Sequence, residues 1–183
     1  MSELTHQTTA HQLSKLPNDG NRRELVSGEL RVMSPSGSQH GRIASRLLIR
    51  LGVHVEKHDL GDTFAAETGF LLSRDPDTVR APDVAFVCKS RLDNFRDHRG
   101  FLPLAPDLVG EVVSPNDSFA QVEDKALDWL KSGVRIVIVV DPQTRTVRKY
   151  RSQHNIRIFH ENDVLDVGDV VPDWTMKVAE LFC

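Results

Sequence analysis

Residues 107–115, with the sequence DLVGEVVSP, form a short apolar run that carries one acid, Glu111, in its middle and ends at a Ser-Pro turn. A carboxylate inside an otherwise buried strand is costly unless it is paired, protonated or bound to a cation. Upstream, residues 80–87 (RAPDVAFV) repeat the pattern, with Asp83 at the start of a second predicted strand. We therefore expect the fold to be organised around these two acids on neighbouring strands.

The composition is that of an ordinary globular protein. The chain has 183 residues, of which 39% are hydrophobic and 27% charged, which is enough for one domain with a sizeable core. The net charge of −3 gives no overall attraction to nucleic acid, so any such contact has to come from a local patch. Cys88 and Cys183 form neither a disulfide framework nor a metal-ligand spacing, which indicates a reducing cytoplasm. The N-terminus lacks an apolar signal region, and the longest apolar run, residues 136–140, is too short to cross a bilayer.

Hydrophobic periodicity and turn residues predict an alternation of helices and strands. Residues 1–20 are polar without a sustained period, and we expect a flexible arm there with at most one short helix, at residues 11–16. Residues 21–183 are predicted to form a single domain of the α/β (α+β) class, in which helices flank a mixed sheet. The predicted elements are an N-terminal hairpin (23–26 and 29–33, turning at Ser27-Gly28), a helix (39–57), strands (64–72, interrupted at Gly69; 83–87; 108–113), a helix from a cap at Asn116 or Asp117 to Lys131, a strand (135–140), a C-terminal hairpin (146–150 and 155–159) and a last helix (176–182).

The two acids could share one cation. Asp83 and Glu111 lie on strands that follow one another in the chain, and consecutive strands usually pair. Paired strands are about 4.8 Å apart, so acids at matched depth can bind the same ion. Mg²⁺ is typically held by one or two carboxylates together with water and phosphate oxygens, and it activates water for attack on a phosphodiester. The alternative is structural: Asp83 starts a strand after Pro82, and Glu111 pairs with an arginine.

Lys125 lies on the apolar face of the second long predicted helix. It follows Val122 by three residues and precedes Trp129 by four, so it shares their side of the helix. Such a lysine either extends along the surface to solvent or reaches a buried acid. In the second case Lys125 could approach the end of the Glu111 strand and orient water or bind phosphate.

An ordered set of short motifs resembles the Uma-two family of bacterial restriction-endonuclease-like proteins, within the PD-(D/E)XK nuclease superfamily. The resemblance covers nearly the whole chain and implies a restriction-endonuclease-like core, an endonuclease activity that depends on Mg²⁺ or Mn²⁺, and DNA as the substrate. The motifs are LVSGEL at 25–30, SP at 34–35, His40, APDV at 81–84, EVVSPND at 111–117, Lys125, GV at 133–134 and VDP at 140–142.

By this resemblance, Asp83 corresponds to the acid of the PD motif and Glu111 to the acid of (D/E)XK. Both would bind the metal, with the backbone carbonyl of Val112 as a third ligand. Val113 stands where the superfamily has its lysine, and Lys125 occupies the position on the following helix to which the family is thought to have moved it.

The resemblance also implies a further acid near the metal. Glu67, which we predict on the strand before that of Asp83, is the first candidate and Glu24 is the second, whereas Glu29 fits a charge on the hairpin surface. His40, at the start of the first long helix, is either a surface histidine or a group that faces the cleft.

A basic cluster follows the Asp83 strand. Lys89, Arg91, Arg96 and Arg99 lie in the long connection of residues 88–106 and are the best candidates for contacting a phosphate backbone. The structural alternative is a solvated loop.

Together these features favour a metal-dependent endodeoxyribonuclease, with Asp83, Glu111 and Lys125 as its catalytic residues. The competing interpretation is a non-catalytic nucleic-acid-binding or regulatory protein on a nuclease scaffold, because a fold does not establish a function. Cutting both strands of a duplex would need two active sites, which a homodimer would provide. The preference for DNA over RNA depends on the resemblance alone.

Overall fold

The structure is a computed structural model, and it describes residues 7–17, 19–95, 98–115 and 117–183. Its α-helices are α1 (Ala10–Ser14), α2 (Ser38–Lys57), α3 (Lys89–Leu92) and α4 (Phe119–Lys131), and a 3₁₀ helix (Val178–Leu181) lies near the C-terminus. Its strands are β1 (Arg22–Val26), β2 (Glu29–Met33), β3 (Gly61–Ala65), β4 (Phe70–Ser73), β5 (Thr78–Arg80), β6 (Val84–Cys88), β7 (Leu108–Val112), β8 (Ile136–Asp141), β9 (Thr146–Ser152), β10 (Asn155–Phe159), β11 (Val164–Asp166) and β12 (Thr175–Lys177).

Within the described residues, the largest sheet has the strand order β10-β9-β8-β7-β6-β3. It is mixed, because β7 and β8 run parallel on either side of α4 in the chain while the other neighbouring strands are antiparallel. A second, antiparallel sheet has the order β2-β1-β5-β4, and β11 pairs with β12. The predicted α+β architecture, a mixed sheet flanked by helices with a hairpin near each end of the chain, is confirmed.

Helices α2 and α4 cover opposite faces of the mixed sheet. Leu47 of α2 belongs to one buried apolar cluster with Leu108, whereas Trp129 of α4 belongs to another with Val109. Leu108 and Val109 are consecutive, and side chains alternate between the two faces of a strand. Helix α2, predicted at residues 39–57, therefore buries one apolar face against the sheet.

Gly110 allows α2 to approach the sheet closely. A Cβ atom at this position would lie 2.8 Å from Cδ2 of Leu47 and 3.3 Å from Cβ of Val84. A larger residue here would therefore require the side chains of Leu47 and Val84 to shift.

The first hairpin turns at Ser27 and Gly28, as predicted. Their φ angles are 52° and 80°, the left-handed conformation that a tight two-residue hairpin turn requires at both positions. This hairpin carries Glu24 and Arg22 on β1, both of which enter the site described below.

The prediction of one strand over residues 64–72 is wrong. The chain leaves the mixed sheet at Ala65, turns through Glu67 with a φ of 72°, and joins the second sheet at Phe70. At the interruption, a Cβ on Gly69 would lie 2.3 Å from the ring of Phe101, so the turn is packed against the loop that precedes β7.

The predicted last helix, residues 176–182, is also wrong in its first part. Residues 175–177 form β12, and the 3₁₀ helix begins only at Val178. Met176 and Val178 are buried while Thr175 and Lys177 are exposed, which is the two-residue alternation of a strand.

Helix α4 begins later than predicted. Its N-cap is Ser118, which forms a capping box with Gln121, whereas Asp117 accepts a hydrogen bond of 2.8 Å from the backbone N–H of Ser114. Asn116, the other predicted cap, lies outside the described residues.

Part of the predicted N-terminal arm is folded onto the second sheet. Ala10 and Leu13 of α1 are buried with Leu25 and Val79, and the backbone N–H of Ala10 donates to Asp77 at 2.7 Å. The short helix was predicted; its docking was not.

Candidate active site

Asp83 and Glu111 lie opposite each other on adjacent strands. Val84 pairs with Gly110 in the antiparallel ladder of β6 and β7, so continuing that register by one residue places Asp83 against Glu111. The backbone N–H of Val112 donates to Oδ2 of Asp83 at 2.9 Å, which ties the two strands together there. The predicted adjacency of the two acids is confirmed. A role of the Val112 carbonyl as a ligand remains a prediction.

Glu111 is buried and bound by two donors from α4. Nζ of Lys125 lies 3.0 Å from its Oε2, and the indole N–H of Trp129 donates to its Oε1 at 2.8 Å. Burial raises the pKa of Glu111 to about 7, and the negative charges of Asp83 and Glu24 add to this rise while Lys125 opposes it.

Of the two interpretations of Lys125, the structure matches the one in which its amine reaches a buried acid. Burial alone would lower the pKa of this amine, but the charges of Glu111, Glu24 and Asp83 outweigh that effect and raise it. Lys125 consequently stays protonated and acts as a hydrogen-bond donor. Its side chain remains 28% exposed, so a ligand can reach it.

Asp83 is held by three donors. Besides Val112, Nε2 of His40 lies 3.0 Å from Oδ2, and a guanidinium nitrogen of Arg22 lies 3.3 Å from Oδ1. Burial raises the pKa of Asp83, but the hydrogen bond and charge of His40, with the Val112 N–H, outweigh this and hold the pKa below its usual value. Of the two interpretations of His40, the structure matches the one that faces the cleft, since its side chain is buried against Asp83.

The structure brings Glu24, rather than Glu67, into contact with this cluster. Glu24 is buried, its Oε1 lies 3.9 Å from Nζ of Lys125, and it accepts a hydrogen bond from the backbone N–H of Ala81. Glu67 is exposed in the turn after β3, and it lines a cavity that also touches Asp83. By contact with the cluster Glu24 ranks ahead of Glu67, and a role of either acid near a metal remains a prediction.

Glu24 also takes part in a chain of ion pairs that connects the second sheet to α4. Its Oε2 lies 3.5 Å from Arg80, and Arg80 in turn lies 2.9 Å from Asp128 of α4. Glu29, in contrast, is an exposed residue of β2, as predicted.

A cavity of about 280 Å³ opens beside Asp83. Arg22, Ser36, His40 and Glu67 contribute polar groups to its lining, and small residues of α2 form much of the rest. This volume is of the order needed for one small group of a substrate.

The basic cluster lies at the other end of the mixed sheet. Asp83 precedes β6 and Lys89 follows it, so the strand separates them by about 20 Å. Lys89 pairs with Asp59, and Arg91 lies 3.0 Å from Asp107. Arg99 is exposed in the same loop, and Arg96 lies outside the described residues. Lys89 and Arg91 are therefore not brought to the site.

Sequence reasoning missed two residues of the site, Arg22 and Trp129. Trp129 was assigned only to the apolar face of α4, although an indole N–H on a stripe that also carries Lys125 was a signal for a polar partner. Arg22 precedes Glu24 by two positions, so the two side chains lie on the same side of β1. This spacing was the available signal that Arg22 could join the site.

The fold is that of a restriction-endonuclease-like nuclease. The crystal structure of a "putative nuclease belonging to DUF820" from Anabaena variabilis ATCC 29413 superposes with a TM-score of 0.79 at 24% identity, covering 95% of this chain and 97% of that chain. The sequence model of the Uma2 family, described as "Putative restriction endonuclease", matches residues 10–179. The chain therefore belongs to the Uma2 family. A search of curated proteins found no match. In the parts of the chain that the structure describes, no helix is long and apolar enough to span a membrane.

Proposed function

We propose that this protein is a metal-dependent endonuclease that hydrolyses phosphodiester bonds in DNA. The observation that carries the proposal is the placement of Asp83 opposite Glu111 with Lys125 bound to Glu111. Two carboxylates and an ammonium group at one strand end are suited to neutralise and orient a phosphodiester and its attacking water. Membership of the Uma2 family supports the same class of reaction.

The donor set suits Mg²⁺ or Mn²⁺, although no three His, Cys, Asp or Glu side chains among the described residues form a preformed metal cage. Mg²⁺ needs only one or two carboxylates, because water and substrate oxygens complete its shell. Asp83 and Glu111 would hold the ion, and its charge would stabilise the ionised form of Glu111, whose pKa is raised to about 7 by burial and by the charges of Asp83 and Glu24. When bound, the ion would lower the pKa of a coordinated water and offset the charge of the phosphate.

The side chains have separable tasks in this proposal. His40 and the Val112 N–H keep Asp83 ionised and fix its orientation. Lys125, which stays protonated, would donate hydrogen bonds to the attacking water or to a phosphate oxygen. Trp129 holds the second oxygen of Glu111.

One observation favours a second candidate, a nucleic-acid-binding protein without catalysis. Each carboxylate oxygen of Asp83 and Glu111 already has a partner, through Arg22, His40, Lys125 and Trp129. A fully satisfied ion-pair network can be purely structural.

A plasmid-nicking assay in Mg²⁺, Mn²⁺ and EDTA separates the two candidates. We expect metal-dependent cleavage by the natural chain and its loss in both Asp83→Asn and Glu111→Gln. Asp62→Asn, which changes an exposed acid on the adjacent strand β3, is the matched control and should cleave normally. Full activity in either site variant, or cleavage that persists in EDTA, would contradict the proposal. Labelled RNA in the same assay tests the choice of DNA.

A further inference from the structure

Arg22 has hydrogen-bonding capacity that the protein leaves unused. Its guanidinium contacts are long: 3.2 Å to the Ala81 carbonyl, 3.3 Å to Asp83 and 3.5 Å to Oγ of Ser36. Among the described residues, its Nε is a buried side-chain atom without a hydrogen-bond partner. An unsatisfied buried donor costs free energy, so Nε of Arg22 can gain by binding an acceptor such as water or a ligand oxygen.

The position of Arg22 indicates where that partner would come from. Its side chain lines the cavity beside Asp83 and is 14% exposed. Of the described residues lining this cavity, Arg22 is the one that carries a permanent positive charge.

Two other cations of the site are already engaged. Arg80 is almost completely buried between Glu24 and Asp128, and Lys125 is bound to Glu111. Lys89 and Arg91 lie at the far end of β6, where they pair with Asp59 and Asp107. A strand of nucleic acid entering the cavity would therefore meet Arg22.

We propose that Arg22 binds a phosphodiester group of the DNA strand in this cavity, next to the bond that is cut. The inference rests on the proposed function, and it assigns a substrate-binding role to a residue outside the expected catalytic set. The planar guanidinium presents paired donors that match two phosphate oxygens. Its loose contact with Asp83 would be exchanged for the phosphate when Asp83 binds its cation.

The test measures binding rather than cleavage. Fluorescence anisotropy would give the Kd of a fluorescein-labelled duplex, and of the same strand alone, over a series of NaCl concentrations in Ca²⁺, with a gel confirming that the DNA stays intact. Arg22→Met should weaken binding about tenfold or more and reduce the slope of log Kd against log [NaCl] by about one. Calorimetry should show no loss of Mn²⁺ affinity, because the proposal has Arg22 leave Asp83 when the cation binds.

Two further variants make the result specific. Arg157→Met, on the distant edge strand β10, is the matched control and should leave both affinity and salt slope unchanged. Arg22→Lys keeps the charge but loses the paired geometry, so affinity should fall while the slope is retained. If circular dichroism shows that Arg22→Met is unfolded, the affinity of Arg22→Lys provides the test instead.

Several outcomes would overturn the inference. The first is an unchanged Kd and salt slope in Arg22→Met, and the second is an unchanged Kd in Arg22→Lys. The third is an equal loss of DNA affinity in Arg157→Met. The fourth is a reduced Mn²⁺ affinity of Arg22→Met with an unchanged salt slope, because Arg22 would then only support Asp83. The proposed nuclease function fails separately, if the natural chain binds DNA through Arg22 but does not cut it.

Discussion

The indole N–H of Trp129 donates a hydrogen bond of 2.8 Å to Oε1 of Glu111. The other oxygen of the same carboxylate is bound by Lys125, which lies one helical turn earlier on α4. The helix that follows the acidic strand thus sets the orientation of the acid through both of its oxygens. An apolar-looking face of α4 therefore carries two of the polar contacts of the site.

Replacing Trp129 with phenylalanine removes one of these donors. Hydrogen bonding to the ionised form lowers the pKa of an acid, so we expect the pKa of Glu111 to rise further above about 7 in Trp129→Phe. The acid limb of the pH profile of plasmid cleavage should therefore move to higher pH. Trp174→Phe is the control, because Trp174 is also buried and donates its indole N–H to a backbone carbonyl, that of Arg50. Equal pH profiles in the two variants would show that Trp129 only packs.

Lys125 should be needed for cleavage but not for folding. Lys125→Met keeps most of the aliphatic side chain and removes the charge, and we expect cleavage to fall by about 10²-fold or more because transition-state charge is no longer offset. Lys131→Met, on the same helix with a largely exposed side chain, should cleave normally. Nicking rates with thermal unfolding curves provide the measurement. Retained activity in Lys125→Met would remove this lysine from the mechanism.

The raised pKa of Glu111 predicts a pH-dependent stability. Its value is about 7 in the folded protein against 4.5 for a free side chain, so between these values the folded state binds more protons than the unfolded state. The free energy of unfolding should therefore fall as pH rises through this window, by up to about 3 kcal/mol from this group. Asp83, whose pKa is lowered, acts with the opposite sign and at more acidic pH.

Urea unfolding without metal, at intervals across that window, would measure this effect. In Glu111→Gln the contribution is absent, so the variant should gain stability relative to the natural chain as pH rises. A difference between the two proteins that stays constant with pH would contradict the prediction.

Gly110→Ala should destabilise the protein by about 1–3 kcal/mol, because the added methyl group meets Leu47 and Val84 across the interface of α2 with the sheet. Gly41→Ala is the matched control. Gly41 lies in α2, and a Cβ atom there would have open space around it, so alanine should raise the free energy of unfolding by about 0.5–1 kcal/mol. Thermal or urea unfolding of the two variants measures the difference. An equal change in the free energy of unfolding for Gly110→Ala and Gly41→Ala would show that the packing at Gly110 is loose.

Much of the candidate site could be predicted because it depends on local order. Asp83 and Glu111 belong to consecutive strands, and such strands tend to pair; Lys125 shares a helical stripe with Trp129. His40, by contrast, had two open interpretations, because a single residue at a helix start carries no periodic signal for its burial.

The sequence by itself determined the helices and strands that have a regular hydrophobic period. It also identified Asp83, Glu111 and Lys125 as candidate site residues. Only the tertiary structure decided that Glu24, rather than Glu67, meets Lys125, and that Arg22 lines the cavity. It also decided that Lys89 lies at the far end of β6. The physical reason is that each strand carries the chain across the sheet, so residues close in sequence at its two ends become distant. Residues on separate sheets meet only when the sheets pack.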